Sequence, residues 1–312
     1  MRAAPFHAFQ RLALSVLAAV ALLVAPALAA EITIKHARGE TVLPERPRTV
    51  LVFDLAVLDT LDALGVEVTG VPGSHIPDFL SKYRDARYVK IGSLFDPDFE
   101  AVNAAAPDLI IVAARSSSAY PALSKIAPTL DLTLPSTNFI AGVRDNVETL
   151  GRIFGKETQA RALVANMNEA AARIRRDAPK AGTALMVMVN GGKLTVYGPG
   201  SRFGWLHDEL GLTPAVPDAQ AATHGEAVSF EFILKTDPDW LIVLDRDAAV
   251  GQAGTSARQV LDNELIAATK AAKAGRIVYV DPARWYIVGG GGAAFTTIVQ
   301  DMAAALEAKP QP

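Results

Sequence analysis

Three arginines occupy positions suited to anion chemistry. Arg115 follows the apolar run Ile110-Ile111-Val112-Ala113-Ala114, and Arg246 follows Leu241-Ile242-Val243-Leu244-Asp245. Each lies seven residues beyond the aspartate of a Pro-Asp pair, Pro107-Asp108 in one case and Pro238-Asp239 in the other. The third, Arg202, sits in the glycine-rich turn Tyr197-Gly198-Pro199-Gly200-Ser201-Arg202-Phe203-Gly204 between a predicted strand and a predicted helix. Open α/β sheets bind ligands beyond the carboxyl ends of their strands, where the first two arginines fall. A guanidinium stays charged and offers a rigid fork of donors, so the set suits a polyanion of about three negative charges. Burying three such cations without that partner would be costly, so an empty site is expected to be wet.

Other polar and aromatic candidates lie in neighbouring turns. Trp285 and Tyr286 follow Asp281-Pro282 and precede Gly289 to Gly292, where the backbone could approach a ligand closely. Trp285 is equally suited to packing under the last helix. His224 precedes Gly225 in a polar loop, where a lone histidine ordinarily makes only local hydrogen bonds.

The elements that must position these residues alternate between two periodicities. Short β-branched runs predict strands at Thr49 to Phe53, Val68 to Val71, Leu109 to Ala113, Thr183 to Asn190, Leu194 to Tyr197, Trp240 to Leu244 and Ile277 to Val280. Helical periodicity predicts helices at Ala56 to Leu64, Phe99 to Ala105, Ala119 to Ala127, Phe203 to Leu210, Phe230 to Lys235 and Ala293 to Ala308. From Gly142 to Ala178 the chain reads as helix with one break at Phe154-Gly155-Lys156, and Pro179 is expected to end it. A helix of about 20 residues would span about 30 Å, enough to join two lobes rigidly. The fold class expected is α/β, with two Rossmann-like lobes joined by one long helix. The expected boundaries are residues 1–29 for a leader, 30–155 for the N-terminal lobe, 156–178 for the connecting helix and 179–312 for the C-terminal lobe.

An internal repeat supports the two lobes. Phe99-Glu100 followed by Pro107-Asp108-Leu109-Ile110-Ile111-Val112 matches Phe230-Glu231 followed by Pro238-Asp239-Trp240-Leu241-Ile242-Val243 at identical spacing. Both read as a helix leading through a turn into a buried parallel strand. Glu100 and Glu231 would then hold equivalent places, where an acid also suits the start of a helix.

Composition limits the remaining classes. The chain has 312 residues, is 50% apolar and 20% charged, and contains no cysteine, which excludes a disordered chain, a disulfide scaffold and a thiolate metal site. Its formal charge of −3 gives no general attraction to nucleic acid. Arg2 and Arg11 flank a start that leads into the apolar stretch Leu12 to Val24, then Pro26 and Ala27-Leu28-Ala29, the pattern of a secretory signal peptide cleaved after Ala29. The apolar run is short for a membrane span, which needs about 20 residues. Without a cysteine to carry a lipid, the exported protein is expected to be a free monomer in a Gram-negative periplasm and not membrane-inserted. Removing the leader's two arginines takes the formal charge from −3 to −5.

From residue 31 to about 308 the chain resembles the periplasmic ferric-siderophore-binding proteins of ABC importers, in particular the branch for catecholate siderophores. The matching segments are Val50-Leu51-Val52-Phe53-Asp54-Leu55 with Leu58-Asp59-Thr60-Leu61, Lys90-Ile91-Gly92-Ser93-Leu94-Phe95, Tyr197 to Gly204, Thr223-His224-Gly225, Asp245-Arg246 and Trp285-Tyr286. The resemblance implies two α/β lobes joined by a long helix. It also implies a ferric complex held by Arg115, Arg202 and Arg246, with His224 and Tyr286 lining the same cleft, Trp285 beside them, and Glu100 and Glu231 docking on a membrane permease. A ferric tris-catecholate carries a formal charge of −3, and each charge pair would contribute about 4 kcal/mol at roughly 4 Å and an effective dielectric of about 20, before desolvation. A ligand with only two catecholates would leave two iron positions that His224 and Tyr286 could fill. No resident cofactor is expected, the ligand being the ferric siderophore itself.

Enzyme and bare-metal readings find less support. Gly198 and Gly200 suggest a dinucleotide fingerprint, but the next glycine is Gly204, one residue late, and Ser201 is in no nucleophile elbow. His36, His75, His207 and His224 are scattered without metal-ligand spacing. Ferric citrate, haem or another metal chelate stays open as the alternative cargo, since citrate would also suit arginines.

Overall fold

A computed structural model describes residues 31–219 and 225–308. The expected leader, with its cleavage site at Ala29, and the candidate His224 both lie outside the described residues. The chain opens with an antiparallel hairpin, β1 (Ile32–His36) and β2 (Gly39–Leu43), which the sequence reading does not anticipate.

The first lobe is a parallel sheet of β3 (Val50–Val52), β4 (Gly70–Val71), β5 (Val89–Lys90), β6 (Leu109–Val112) and β7 (Thr129–Asp131), in the spatial order β5-β4-β3-β6-β7. The second is a mixed sheet of β8 (Thr183–Asn190), β9 (Lys193–Tyr197), β11 (Glu226–Val228), β12 (Trp240–Asp245) and β13 (Ile277–Tyr279), in the order β11-β9-β8-β12-β13, with β10 (Thr213–Pro214) paired to β8. In each lobe the order reverses direction beside the first strand, between β3 and β6 and again between β8 and β12. Such a switch point leaves a crevice at the carboxyl ends of its two strands, the usual ligand position in this class of sheet. β3 and β6, and also β8 and β12, are buried apolar runs, as strands covered on both faces must be.

The repeat read from the sequence has a structural cause. Ahead of each Pro-Asp pair one residue adopts a left-handed conformation, Ala106 at φ 44° and Asp237 at φ 46°. The following aspartate then ties down the start of the neighbouring first strand. Asp108 accepts from the main-chain N–H groups of Arg48 and Thr49 at 2.9 and 2.8 Å, and Asp239 accepts from Thr183 N–H at 2.8 Å. The helices leading into the two turns are α2 (Phe99–Ala104) and α5 (Phe230–Thr236), capped by Asp98 and Ser229.

Two long helices join the lobes, α3 (Phe139–Phe154) and α4 (Glu157–Ala181), broken at Gly155 in a left-handed C-cap. The end differs from expectation. Pro179 lies inside α4, which runs on to Ala181: the proline gives up its own donor and crowds the turn before it, but Lys180 and Ala181 keep main-chain N–H groups with which the helix can finish. The stop is Gly182 at φ 87°, where a side chain would collide with Asp239. Both helices serve both lobes. Val147, Leu150 and Ile153 of α3 with Ala160 and Val164 of α4 pack in the first core, while Ile140 and Val143 of α3 with Met167, Ala171 and Ile174 of α4 pack in the second. Burial of such aliphatics stabilises by about 1.5–3 kcal/mol each. Among the described residues no helix is long and apolar enough to cross a membrane.

Two predicted helices are shorter than expected. Between Ala119 and Ala127 only Tyr120–Leu123 is α-helical, behind a 3-10 segment at Ala114–Ala119 in which serine hydroxyls bind the chain locally. From Phe203 to Leu210 only Trp205–Asp208 is helical.

The glycine run corrects another expectation. Gly289 and Gly290 line the cleft between the lobes, but Gly291 presses instead on α1 (Leu55–Ala63) and Gly292 on Val147 of α3 and Leu163 of α4. A Cβ on Gly291 would lie 2.5 Å from Asp59 Oδ2 and 2.8 Å from Ala56 O. The close approach serves a joint between lobes. Asp59 Oδ2 accepts from the N–H groups of Ala293 and Ala294 at 3.0 and 2.9 Å, and Thr60 Oγ1 accepts from Gly292 N–H at 2.9 Å. These cap α8 (Gly292–Glu307), whose own N-cap, Gly291, has no side chain to do so. Burial, the largest influence, pushes the Asp59 carboxyl up to about 7 despite those donors.

Candidate functional site

Both switch points deliver an arginine toward Tyr286, although only Arg115 of the two lines the cleft itself. Arg115 follows β6 on the 3-10 segment, with Ala113 N–H bound to Ser116 Oγ at 3.1 Å and Ala114 left-handed at φ 44°. Arg246 opens α6 (Arg246–Ala249), which Asp245 caps through Ala248 N–H at 3.0 Å. Its Nη1 donates to Asn190 Oδ1, at the end of β8, at 3.3 Å.

Arg202 is presented by a compact turn. Ser201 is buried and donates to Gly198 O at 2.6 Å, Asp208 accepts from Gly200 N–H at 2.7 Å, and Gly204 N–H donates to Ser201 O at 2.9 Å. Gly204 is required for this closure, since a Cβ there would lie 2.6 Å from Gly200 N.

The three guanidiniums gather around Tyr286, at the end of α7 (Pro282–Tyr286). Their central carbons lie 4.4 Å (Arg202), 5.5 Å (Arg115) and 5.8 Å (Arg246) from its ring centre. Its main-chain oxygen accepts from Arg202 Nη2 at 2.6 Å and from Arg115 Nη2 at 3.0 Å. Burial pushes the Tyr286 phenol up, but a hydrogen bond from Arg246 and the three positive charges outweigh it and lower its pKa. Burial, reinforced by the charge of Arg115, lowers the pKa of Arg202. Neither Arg115 nor Arg202 has a carboxylate ion pair among the described residues, and Arg246 approaches Asp247 only to 3.8 Å. Three cations thus gather with a single carboxylate, Asp247, within ion-pair distance.

Trp285 is buried beneath this face, 5.4 Å from Trp205 and 6.1 Å from Phe203 between ring centres. Glu100 and Glu231 lie apart from the cleft, exposed in the first turns of α2 and α5. Each of those helices leads back to the start of a parallel strand, so its own beginning lies toward the carboxyl ends, the side of the arginines. The hydrogen bond from Ser229 helps hold the Glu231 carboxyl below its ordinary range.

Between the lobes lies a cavity of ≈ 190 Å³, lined by Arg115, Arg202, Trp285 and Tyr286 together with Asp54 and Leu134. Ligand pockets ordinarily measure roughly 300–1,000 Å³, so a bulky chelate would need the lobes farther apart than they stand here. Sequence reasoning gives Asp54 no role. It ends the chain segment after β3, faces Arg115 across the first switch point, and caps α1 through Ala56 N–H and Val57 N–H at 2.8 and 3.1 Å. Burial raises its pKa, against those donors and Arg115. Its signal was an acid at a strand-to-helix junction. No group of three metal-ligating His, Asp or Glu side chains gathers among the described residues.

Residues 50–283 match the family model described as periplasmic binding protein. The chain is 40% identical over 282 residues to the petrobactin-binding protein YclQ of Bacillus subtilis, covering 89% of each, and 32% identical to the ferric-anguibactin-binding protein FatB of Vibrio anguillarum, covering 87% of this chain and 86% of that one. The crystal structure of YclQ superposes with a TM-score of 0.85, covering 90% of this chain and 100% of YclQ. That of the periplasmic catecholate-siderophore binding protein VctP of Vibrio cholerae does so with a TM-score of 0.80 at 34% identity, covering 89% of this chain and 99% of VctP.

Proposed function

The chain belongs to the periplasmic binding protein family, and from that premise we propose that it captures a ferric siderophore of the catecholate type and passes it to an inner-membrane ABC permease. The observation that carries this reading is the convergence of Arg115, Arg202 and Arg246 on Tyr286, three cations of which only Arg246 has a carboxylate within ion-pair distance among the described residues, Asp247 at 3.8 Å. A trianionic iron chelate would supply the missing charge. The relatives named for ferric anguibactin, petrobactin and a catecholate siderophore support the same class of cargo.

In this reading the ligand displaces Arg115 and Arg202 from the Tyr286 carbonyl and takes their donors, while the aromatic wall of Trp285 and Trp205 backs the arginine face. Glu100 and Glu231 serve as paired negative docking points for the permease. The mature protein works free in the periplasm, and no catalytic step is involved. For a ligand with two catecholates, Tyr286 supplies an iron ligand together with His224; the lowered pKa of the phenol favours the phenolate needed.

Titration of the mature protein with ferric siderophores, followed by quenching of Trp205 and Trp285 fluorescence, tests the reading. Ferric catecholates should bind more tightly than ferric citrate, and preference for citrate would overturn the catecholate assignment. Absorption spectra of a bound bis-catecholate complex that do not change in Tyr286→Phe and His224→Ala would overturn direct coordination.

A further inference from the structure

Arg115 can serve a ligand only if its backbone is fixed, and more than the local bonds of Ser116 hold it. The residue before it, Ala114, holds φ at 44°, a conformation that costs a non-glycine residue roughly 1–3 kcal/mol and persists only when its surroundings impose it. Ser116 bonds the chain locally at Ala113, and a second restraint reaches Ala114 and Ser117 from one buried carboxylate. Ala114 N–H donates to Thr133 Oγ1 at 2.8 Å, and that hydroxyl donates in turn to Asp131 Oδ1 at 2.5 Å. On the other side of Arg115, Ser117 Oγ donates to Asp131 Oδ2. The chain on either side of the arginine is thus hung from the two oxygens of a single carboxylate.

That carboxylate is itself anchored from outside the sheet. Arg38, in the turn of the β1–β2 hairpin, donates from Nε to Asp131 Oδ2 at 3.1 Å and from Nη2 to Ser117 Oγ at 3.1 Å. His36 completes the attachment, its Nδ1 accepting from Arg38 N–H at 3.2 Å and Asp131 N–H at 3.3 Å. Burial lowers the pKa of the imidazole, which favours the neutral ring that those two acceptor contacts require. The Asp131 side chain is 1% exposed, and its two oxygens accept from Arg38 Nε, Ser117 Oγ, Thr133 Oγ1 and Thr133 N–H. Although burial acts against it, these donors hold the carboxyl below its ordinary range, so it remains charged.

We propose that Asp131, braced by Arg38 of the N-terminal hairpin, is the positioning residue of Arg115. The proposal rests on the reading that Arg115 holds the ferric ligand, and it gives the hairpin a function in binding. Asp131→Asn keeps the shape but sets an amide donor against donors, so the turn loses its anchor.

The test is a double-mutant cycle on ferric tris-catecholate affinity. Asp131→Asn should weaken binding about tenfold or more when Arg115 is present, as expected for loss of hydrogen bonds to a charged group, and hardly at all in an Arg115→Ala background. Thr133→Val should reproduce the loss, and Thr133→Ser, which keeps the hydroxyl, should restore it. Equal losses in both backgrounds would make Asp131 a general packing residue and overturn the proposal, as would unchanged affinity in both Asp131→Asn and Thr133→Val. If Arg115→Ala alone binds like the wild type, the ligand role of Arg115 fails and the positioning role falls with it.

Discussion

Arg115 Nη2 donates to the main-chain oxygen of Tyr286 at 3.0 Å, so a guanidinium from the first lobe is tied directly to the second. The same donor is one that the proposed ligand would claim. Replacing Arg115 with Ala should therefore have two effects. The unliganded protein should expand slightly in small-angle scattering, because one tie between the lobes is lost, and ferric siderophore affinity should fall by about tenfold or more, as for other charged hydrogen bonds. Unchanged scattering would show that the tie does not control the separation of the lobes.

Arg202 lies nearest the Tyr286 ring, and the turn around it is closed by Ser201, Gly204 and Asp208. Arg202→Ala should weaken binding by about 10- to 100-fold, and Arg202→Lys should recover little, because a lysine lacks the planar fork. Full recovery by lysine would mean that charge alone matters at this position.

The paired glutamates should separate delivery from capture. Glu100 and Glu231 are exposed and lie outside the arginine cluster. Glu100→Ala combined with Glu231→Ala should leave siderophore affinity unchanged while impairing uptake in cells that depend on this receptor for iron. A loss of affinity in the purified double variant would sink that division.

Asp59 predicts a pH dependence of stability. Its carboxyl moves from an ordinary 3.8 to about 7 on folding, chiefly through burial. Between those values the folded chain binds the extra proton, so this group's contribution to stability is full below about 4 and is lost as pH rises toward about 7. Wild-type stability measured against Asp59→Asn should fall over that window by at most about 1.4 kcal/mol per pH unit, then level off. Denaturant melts across the range would reveal it, and a difference independent of pH would mean that Asp59 is ionised throughout.

Much of the candidate arginine cluster was legible because strand ends carry local marks. Arg115 and Arg246 follow apolar runs at equal distances from Pro-Asp turns, and the structure gives those turns a shared mechanism in Asp108 and Asp239. Arg202 was legible from the glycines that close its turn. Asp131 carries no such mark, since its role is created by Arg38, 93 residues away, and by the hydroxyls of Ser117, from another segment, and of its near neighbour Thr133. Asp54 likewise reads as a helix cap until the second lobe closes a cavity over it. Gly289 to Gly292 announced a close approach, but spacing could not say that half of it would be to helices, α1 for Gly291 and α3 and α4 for Gly292. The hairpin had alternation in Ile32, Ile34 and Val42, yet its purpose appears only where Arg38 meets β7.

The sharing of α3 and α4 between the two cores bears on how the chain comes apart. With Ile153 in one core and Ile140 of the same helix in the other, a lobe cannot unravel without withdrawing side chains from its neighbour. A two-lobed outline suggests two melting steps, but this arrangement predicts a single cooperative transition in calorimetry, with equal calorimetric and van't Hoff enthalpies. Neither lobe should fold as an excised fragment, so the receptor is one folding unit from hairpin to last helix.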